Sequence, residues 1–175
     1  MSSNQNILQE EAINLLKELI ATPSYSKKED QTAGIIGKFL ALKNIPASRV
    51  GNNVFALNKH YDESKPTILL NSHHDTVRPN PEYKKDPFAP IIEEGKLFGL
   101  GSNDAGGCLV SLLAVFLNFY DKSDSKYNII FAATAEEEIS GAGGIEYTLP
   151  YLPKIDCAIV GEPTQMQMAV AERGL

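Results

Sequence analysis

Apolar and polar positions change period several times along the chain, and each change marks an element. Over residues 4–21 the apolar Leu8, Ala12, Leu15, Leu16 and Leu19 recur on one helical face, with Glu10, Glu11, Lys17 and Glu18 elsewhere, which predicts an amphipathic helix. Thr22-Pro23-Ser24 stops it, since proline cannot continue the hydrogen-bond ladder. The same period predicts a second helix over 29–43, with Ile35, Ile36, Phe39 and Leu40 inward. Residues 50–57 read as a strand carrying the turn-forming Gly51-Asn52-Asn53. Short apolar runs at 67–71, 127–133 and 155–160 predict buried strands, and 166–171 a further one. Residues 79–90 are polar and turn-rich, and 91–98 predict a hairpin around Glu94-Gly95. A long apolar helix is expected over 104–120 and a short one over 143–149. Alternating strands and helices, without repeats or a low-complexity linker, give an α/β layered fold with a largely parallel sheet.

Composition narrows the function classes. At 43% apolar and 22% charged residues the chain is ordinary globular material, and 175 residues suffice for one core. Its 16 basic against 22 acidic residues argue against nucleic acid or an anionic membrane as partner. The apolar run 108–116 is interrupted by Ser111 and is too short to span a bilayer. The first residues, Met-Ser-Ser-Asn-Gln-Asn, lack the basic and apolar regions of a secretory leader. With only Cys108 and Cys157, far apart and in apolar stretches, the expectation is a cytoplasmic protein with two core thiols. His60, in a polar loop, is expected to be exposed.

Candidate chemistry collects where apolar runs end. Residues 67–71 lead into Ser72-His73-His74-Asp75, residues 127–133 into Thr134-Ala135-Glu136-Glu137-Glu138, and residues 155–160 into Gly161-Glu162-Pro163. A further acid, Asp104, follows Gly99-Leu100-Gly101-Ser102-Asn103 at the start of the apolar helix. Each has a plain reading: a surface His-x-Asp pair, a solvated acidic face, a helix N-cap at Asp104, a loop acid at Glu162. Independent surface clusters, however, have no reason to share one end of successive buried strands, which is where sites form in open α/β sheets. Several carboxylates brought together with an imidazole call for cations. An imidazole with carboxylates and no thiolate suits Zn²⁺, with Mn²⁺ or Co²⁺ as alternatives, better than the all-oxygen sites of Mg²⁺ or Ca²⁺. The surplus of acids suggests two metals about 3.5–4 Å apart sharing a bridging carboxylate. Gly99-x-Gly101 does not make a dinucleotide loop, and neither a Gly-x-Ser-x-Gly elbow nor a phosphate loop is present.

Leu-Leu-Asn-Ser-His73-His-Asp75-Thr-Val, Gly-Leu-Gly-Ser-Asn-Asp104-Ala-Gly-Gly, Thr-Ala-Glu-Glu137-Glu138, Val-Gly-Glu162-Pro-Thr and Ala-Glu-Arg173-Gly-Leu together resemble the co-catalytic zinc amidohydrolases and metallopeptidases. That family includes acetylornithine deacetylase, succinyl-diaminopimelate desuccinylase, aminoacylase and bacterial glutamate carboxypeptidase, and the deacetylase branch is the most similar. The resemblance implies a phosphorylase/hydrolase-like three-layer α/β sandwich with a mostly parallel mixed sheet. It implies that His73 and Glu162 bind one zinc, Glu138 the other and Asp104 both. Glu137 would be the general base, and Asp75 would hold the second ring nitrogen of His73. A cis peptide at Asp104–Ala105 is also implied. Departures are Ser72 for glycine, Leu100 for arginine, Ala105-Gly106-Gly107 for a lysine-bearing turn and Glu136 for aspartate. None removes a ligand or the base, but they leave Asp104 in less positive surroundings.

The resemblance further implies that residues 1–175 are the N-terminal part of a catalytic domain, with a lid and dimerisation domain and a C-terminal catalytic segment beyond them. The family supplies a last histidine to the second zinc, and no histidine follows His74. Alone, the chain is therefore expected to bind at most one metal well and to turn over little. The implied activity is hydrolysis of an N-acyl amino acid, such as N-acetylornithine in arginine biosynthesis, by a cytoplasmic homodimer. The alternatives are a dipeptidase or carboxypeptidase of the same family, or an inactive metal-binding module.

Overall fold

In a computed structural model describing residues 3–165, the run beginning at Thr67 becomes the strand that organises the sheet. The expected strand 166–171 and Arg173 lie outside the described residues. The helices are α1 (Ser3–Ile20), α2 (Asp30–Leu42), α3 (Gly107–Phe119) and the short α4 (Ile145–Thr148). The strands are β1 (Ser48–Val50), β2 (Asn53–Leu57), β3 (Thr67–His73), β4 (Ile91–Glu93), β5 (Lys96–Phe98), β6 (Asn128–Thr134) and β7 (Cys157–Val160). The main sheet has the order β1-β2-β6-β3-β7. β3 runs parallel to both β6 and β7, whereas β2 pairs antiparallel with β6 and with β1. The sheet is thus mixed, with β6, β3 and β7 parallel and β1 and β2 paired antiparallel. β4 and β5 form the expected separate hairpin.

Alternation along β3 sends successive side chains to opposite faces. On one face Leu70, with Val54, Ala56 and Phe131, packs under α1, α2 and α3 through Leu15, Leu16, Ile36, Leu40, Leu113 and Phe116. On the other, Leu69, Phe55, Ile130 and Ala132 meet Ile145, Leu152 and Ile155. This is the expected three-layer arrangement.

Several expectations are corrected. Residues 50–57 are not one strand: Gly51, at φ +59°, reverses the chain and makes β1 and β2 a hairpin. The apolar helix does not begin at Asp104. Residues Ser102–Gly106 form a wide turn with a cis Asp104–Ala105 peptide, and α3 starts at Gly107 with Gly106 as its N-cap. A Cβ on Gly106 would stand 2.5 Å from the Gly101 carbonyl oxygen and 2.6 Å from Leu16, so the turn requires glycine there. Residues Ser102–Phe119 together reach a mean hydropathy of 1.2, enough by composition for a membrane span. The regular helix α3 covers 13 of them, about 20 Å at 1.5 Å per residue, and its buried face packs on the sheet. β7 is exposed at every residue instead of buried, because it lies at the sheet edge and pairs, among the described residues, with β3 alone. Cys157 is consequently exposed and Cys108 half-buried, so neither is a core thiol.

Phe116 is fully buried between Tyr120 and Phe131, with ring centroids 5.7 and 6.0 Å away. Phe116→Ala is expected to destabilise the fold by about 3–5 kcal/mol, measured by urea unfolding.

Candidate metal centre

Parallel pairing places the carboxyl ends of β3, β6 and β7 at one edge. His73 stands opposite Thr134, so the turn after β6 opens beside the imidazole. Asn71 stands opposite Val160, and the Gly161 N–H continues the ladder to the Asn71 carbonyl at 2.8 Å, which brings Glu162 alongside. The Ser72 hydroxyl donates to the Gly161 carbonyl at 2.8 Å and locks that junction. Asp104 arrives from the Ser102–Gly106 turn.

All the expected site residues converge. The buried His73 ring directs Nε2 at a ring of acids: Asp104 Oδ1 at 3.2 Å, Glu137 Oε2 at 3.7 Å and Glu162 Oε1 at 3.8 Å. His73, Asp104 and Glu138 offer ligand atoms that all lie within 4.8 Å of one another. Behind the ring, Nδ1 is 3.3 Å from Asp75 Oδ1 and 3.1 Å from the Asp75 carbonyl oxygen, as a carboxylate that fixes the tautomer requires. His74 is buried on the other side, donating from Nε2 to the Asn52 carbonyl with the Thr32 hydroxyl 2.9 Å from Nδ1. Burial holds it neutral, with its pKa lowered, and it plays no part in the ring of acids.

Glu137 and Glu138 lie beyond β6, so strand alternation does not separate them. They lie on a single 3₁₀ turn, Glu137–Ile139, entered through Glu136 at φ +54°. The turn sends Glu138 toward Asp104 and a 660 Å³ cavity walled by Tyr83, Lys84 and Asn103. Glu137 lines a smaller cavity with Glu136 and Ser140, and both acids line an 850 Å³ cavity with His73 and Glu162. Such volumes suit a small-molecule substrate.

What shapes this turn is Asp75 together with Asn53, Glu29 and Ser26, three residues the sequence did not single out for the site. The N–H of Ala135 donates to Asn53 Oδ1 at 2.9 Å, and that of Glu136 to Glu29 Oε1 at 3.2 Å. The N–H groups of Glu137 and Glu138 donate to the two oxygens of Asp75 at 3.1 and 3.2 Å. Ser26 donates to Asp75 Oδ2 at 2.7 Å. Asn53, Glu29 and Asp75 are all buried. No periodicity marks such residues, because their partners are backbone groups up to 107 positions away.

Charge is finely balanced here. Burial opposes protonation of His73, but Asp75, with Glu162 and Glu137, overrides it and raises the imidazole to about 9. Burial raises Glu162 to about 7 against the pull of His73, with Glu137, Asp104 and Glu138 adding to the rise. Burial would raise Asp75 too, but His73, Ser26 and the Glu137 N–H hold it below its ordinary value. A buried imidazole nitrogen facing carboxylates of which Glu162 and Glu138 are raised, first by burial and then by their acidic neighbours, is a donor set fitted to a divalent cation.

The sequence pattern of Peptidase family M20/M25/M40 matches residues 69–172. Acetylornithine deacetylases of Salmonella arizonae and Shigella sonnei are each 32% identical over 177 residues, covering 93% of this chain and 45% of theirs. The chain thus spans about half the length of the curated relatives it matches. Among solved structures, an M20 metallo-carboxypeptidase of Sulfolobus solfataricus superposes with a TM-score of 0.69 at 25% identity, over 92% of this chain and 37% of that one. A dipeptidase of Saccharomyces cerevisiae gives a TM-score of 0.69 at 21% identity, covering 91% and 40%. A dinuclear metal-binding peptidase of Bacillus subtilis gives 0.66 at 20%, covering 89% and 43%. These last two likenesses establish the fold.

The His73–Asp75 pair makes metal-free stability depend on pH. His73 rises from 6.5 to about 9 on folding, so the pair's contribution is complete below about 6.5 and fades as pH climbs to 9. With chelator present, thermal unfolding should occur at lower temperature at pH 9 than at pH 6.5, and His73→Asn should flatten that slope. An unchanged slope in the variant would remove the pair from the account.

Proposed function

The chain belongs to Peptidase family M20/M25/M40, and from that membership and the geometry we propose that residues 1–175 form the front of the catalytic domain of a metal-dependent amidohydrolase. The observation that carries this reading is the convergence of His73, Asp104, Glu137, Glu138 and Glu162 at one sheet edge. The proposed substrate is an N-acyl amino acid, with N-acetylornithine first because deacetylases are the curated relatives. A carboxypeptidase or dipeptidase is the second reading, favoured by the Sulfolobus likeness. The complete enzyme is proposed to be a cytoplasmic homodimer without nucleic-acid or membrane partners.

In this reading His73, Glu162 and Asp104 would hold one Zn²⁺, and Glu138 and Asp104 a second. Bound zinc supplies Lewis-acid polarisation of the amide carbonyl and acidifies water. The protein does the rest. Asp75 keeps the His73 proton on Nδ1 and leaves Nε2 as a ligand. Glu137 takes the proton of the attacking water as oxygen adds to the amide carbon, then passes it to the departing nitrogen as the C–N bond breaks. The products are a carboxylate and a free α-amino group.

The test is a zinc titration combined with assays of N-acetylornithine and dipeptides on the full-length protein. Glu137→Gln should reduce turnover by about 10²–10⁴ while zinc still binds, and full activity in that variant would sink the base assignment. Zinc affinity should rise between pH 6 and pH 9, because His73 at about 9 and Glu162 at about 7 must give up protons to bind. Calorimetry in buffers of different ionisation enthalpy should show proton release, and none at pH 7 would contradict the ligand set.

A further inference from the structure

Glu29 is a carboxylate with 0% exposure, and no cation is paired with it among the described residues. It precedes α2 as its N-cap, yet its side chain makes no capping bond to the helix. Its oxygens point the other way. Oε1 accepts the Lys27 N–H at 2.6 Å and the Glu136 N–H at 3.2 Å, and Oε2 accepts the Asn52 amide at 2.8 Å. A buried carboxylate is tolerable only with such a set of donors, and the α2 N-terminus beside it adds a favourable dipole. A neutral apolar residue would satisfy the α2 face equally well, so the charge answers to the donors, and the most distant of those is the residue that starts the acidic turn.

Glu136 is where the chain leaves β6 with φ +54° and swings Glu137 and Glu138 toward His73. Its own carboxylate folds back to accept the Gly143 N–H at 3.3 Å, so its backbone is held from one side by Glu29 and its side chain from the other. Asp75 grips the next two N–H groups. Two carboxylates from separate segments therefore fix three consecutive peptide units that carry the candidate base and a candidate ligand.

We propose that Glu29 is a positioning residue for Glu137 and Glu138, acting through the Glu136 N–H. This rests on the reading of Glu138 as a metal ligand. Glu29→Gln keeps the size but turns an amide N–H₂ toward donors. Glu29→Asp keeps the charge but is one methylene too short to reach both ends. Amide exchange of Glu137 and Glu138 in the metal-free chain should quicken at least about tenfold in both variants, with the centre of β3 unchanged. In the full-length protein, affinity for the second Zn²⁺, the one assigned to Glu138, should fall about 10–100-fold. Ile36→Val, a mild truncation in the core face of α2, should lower the melting temperature and leave exchange at Glu137 and Glu138 and Zn²⁺ affinity alone. Variants at Glu29 that melt earlier but keep wild-type exchange at Glu137 and Glu138 would reduce Glu29 to a support for α2 and overturn the proposal. A wild-type chain that takes up no Zn²⁺ would overturn the metal reading instead, while the exchange measurement would still decide Glu29.

Discussion

A backbone N–H that leaves a sheet inside the protein must find another acceptor, and the site depends on how that demand is met after β6. From Ala135 onward the chain no longer has β3 or β2 to bond to. Its next four N–H groups, Ala135 to Glu138, all donate to side chains, those of Asn53, Glu29 and Asp75. Left unpaired and buried, each would cost about 1–3 kcal/mol. Satisfied by one side-chain amide oxygen and two carboxylates, they tie the sheet's carboxyl edge to the β1–β2 hairpin, the α2 entrance and the end of β3. The turn cannot move without breaking bonds to three separate segments.

That arrangement also resolves an electrostatic problem. Asp75 is buried and negative, and it stands next to a cluster of other acids. Its charge is spread over His73, Ser26 and two peptide N–H groups, which hold it below its ordinary pKa. In front of His73, Glu162 and Glu138 are both raised, chiefly by burial. One group of carboxylates is thus neutralised from within the fold, and the other is kept in need of an external cation. The line between them runs through the imidazole of His73.

Much of this was legible in the sequence, and the reasons for success and failure are physical. His73, Asp75, Glu137, Glu138 and Glu162 could be picked out because apolar runs ending in acids are rare as accidents and strand ends concentrate chemistry, and Asp104 by the motif around it. The layers were legible because both faces of β3 and β6 are apolar. The hairpin at Gly51 was hidden by two strands shorter than the period can report, and the delayed start of α3 by Asp104, which reads equally well as the helix N-cap. β7 reads as buried from composition, and only topology shows it to be an edge. Glu29 and Asn53 were invisible because a side chain bonded to distant backbone leaves no pattern in its own neighbourhood, and Ser26 because its partner is a carboxylate 49 positions away.

The bond from the Ser72 hydroxyl to the Gly161 carbonyl gains meaning from the sequence around it. Ile68, Leu69 and Leu70 are apolar on both faces of β3, and two histidines stand side by side, so hydrophobic contacts alone scarcely distinguish β3 from a copy of itself slipped by one residue. Such a slip would turn every side chain over and present His74 where His73 belongs. The discrimination falls to polar pins at the strand's two ends: Ser72 on Gly161 at one, and the Thr67 N–H on Asp156 and Asn128 on the Thr67 hydroxyl at the other. At position 72 this chain carries a hydroxyl that reads register, so part of the choice between two neighbouring imidazoles falls to a serine that bonds none of the acids.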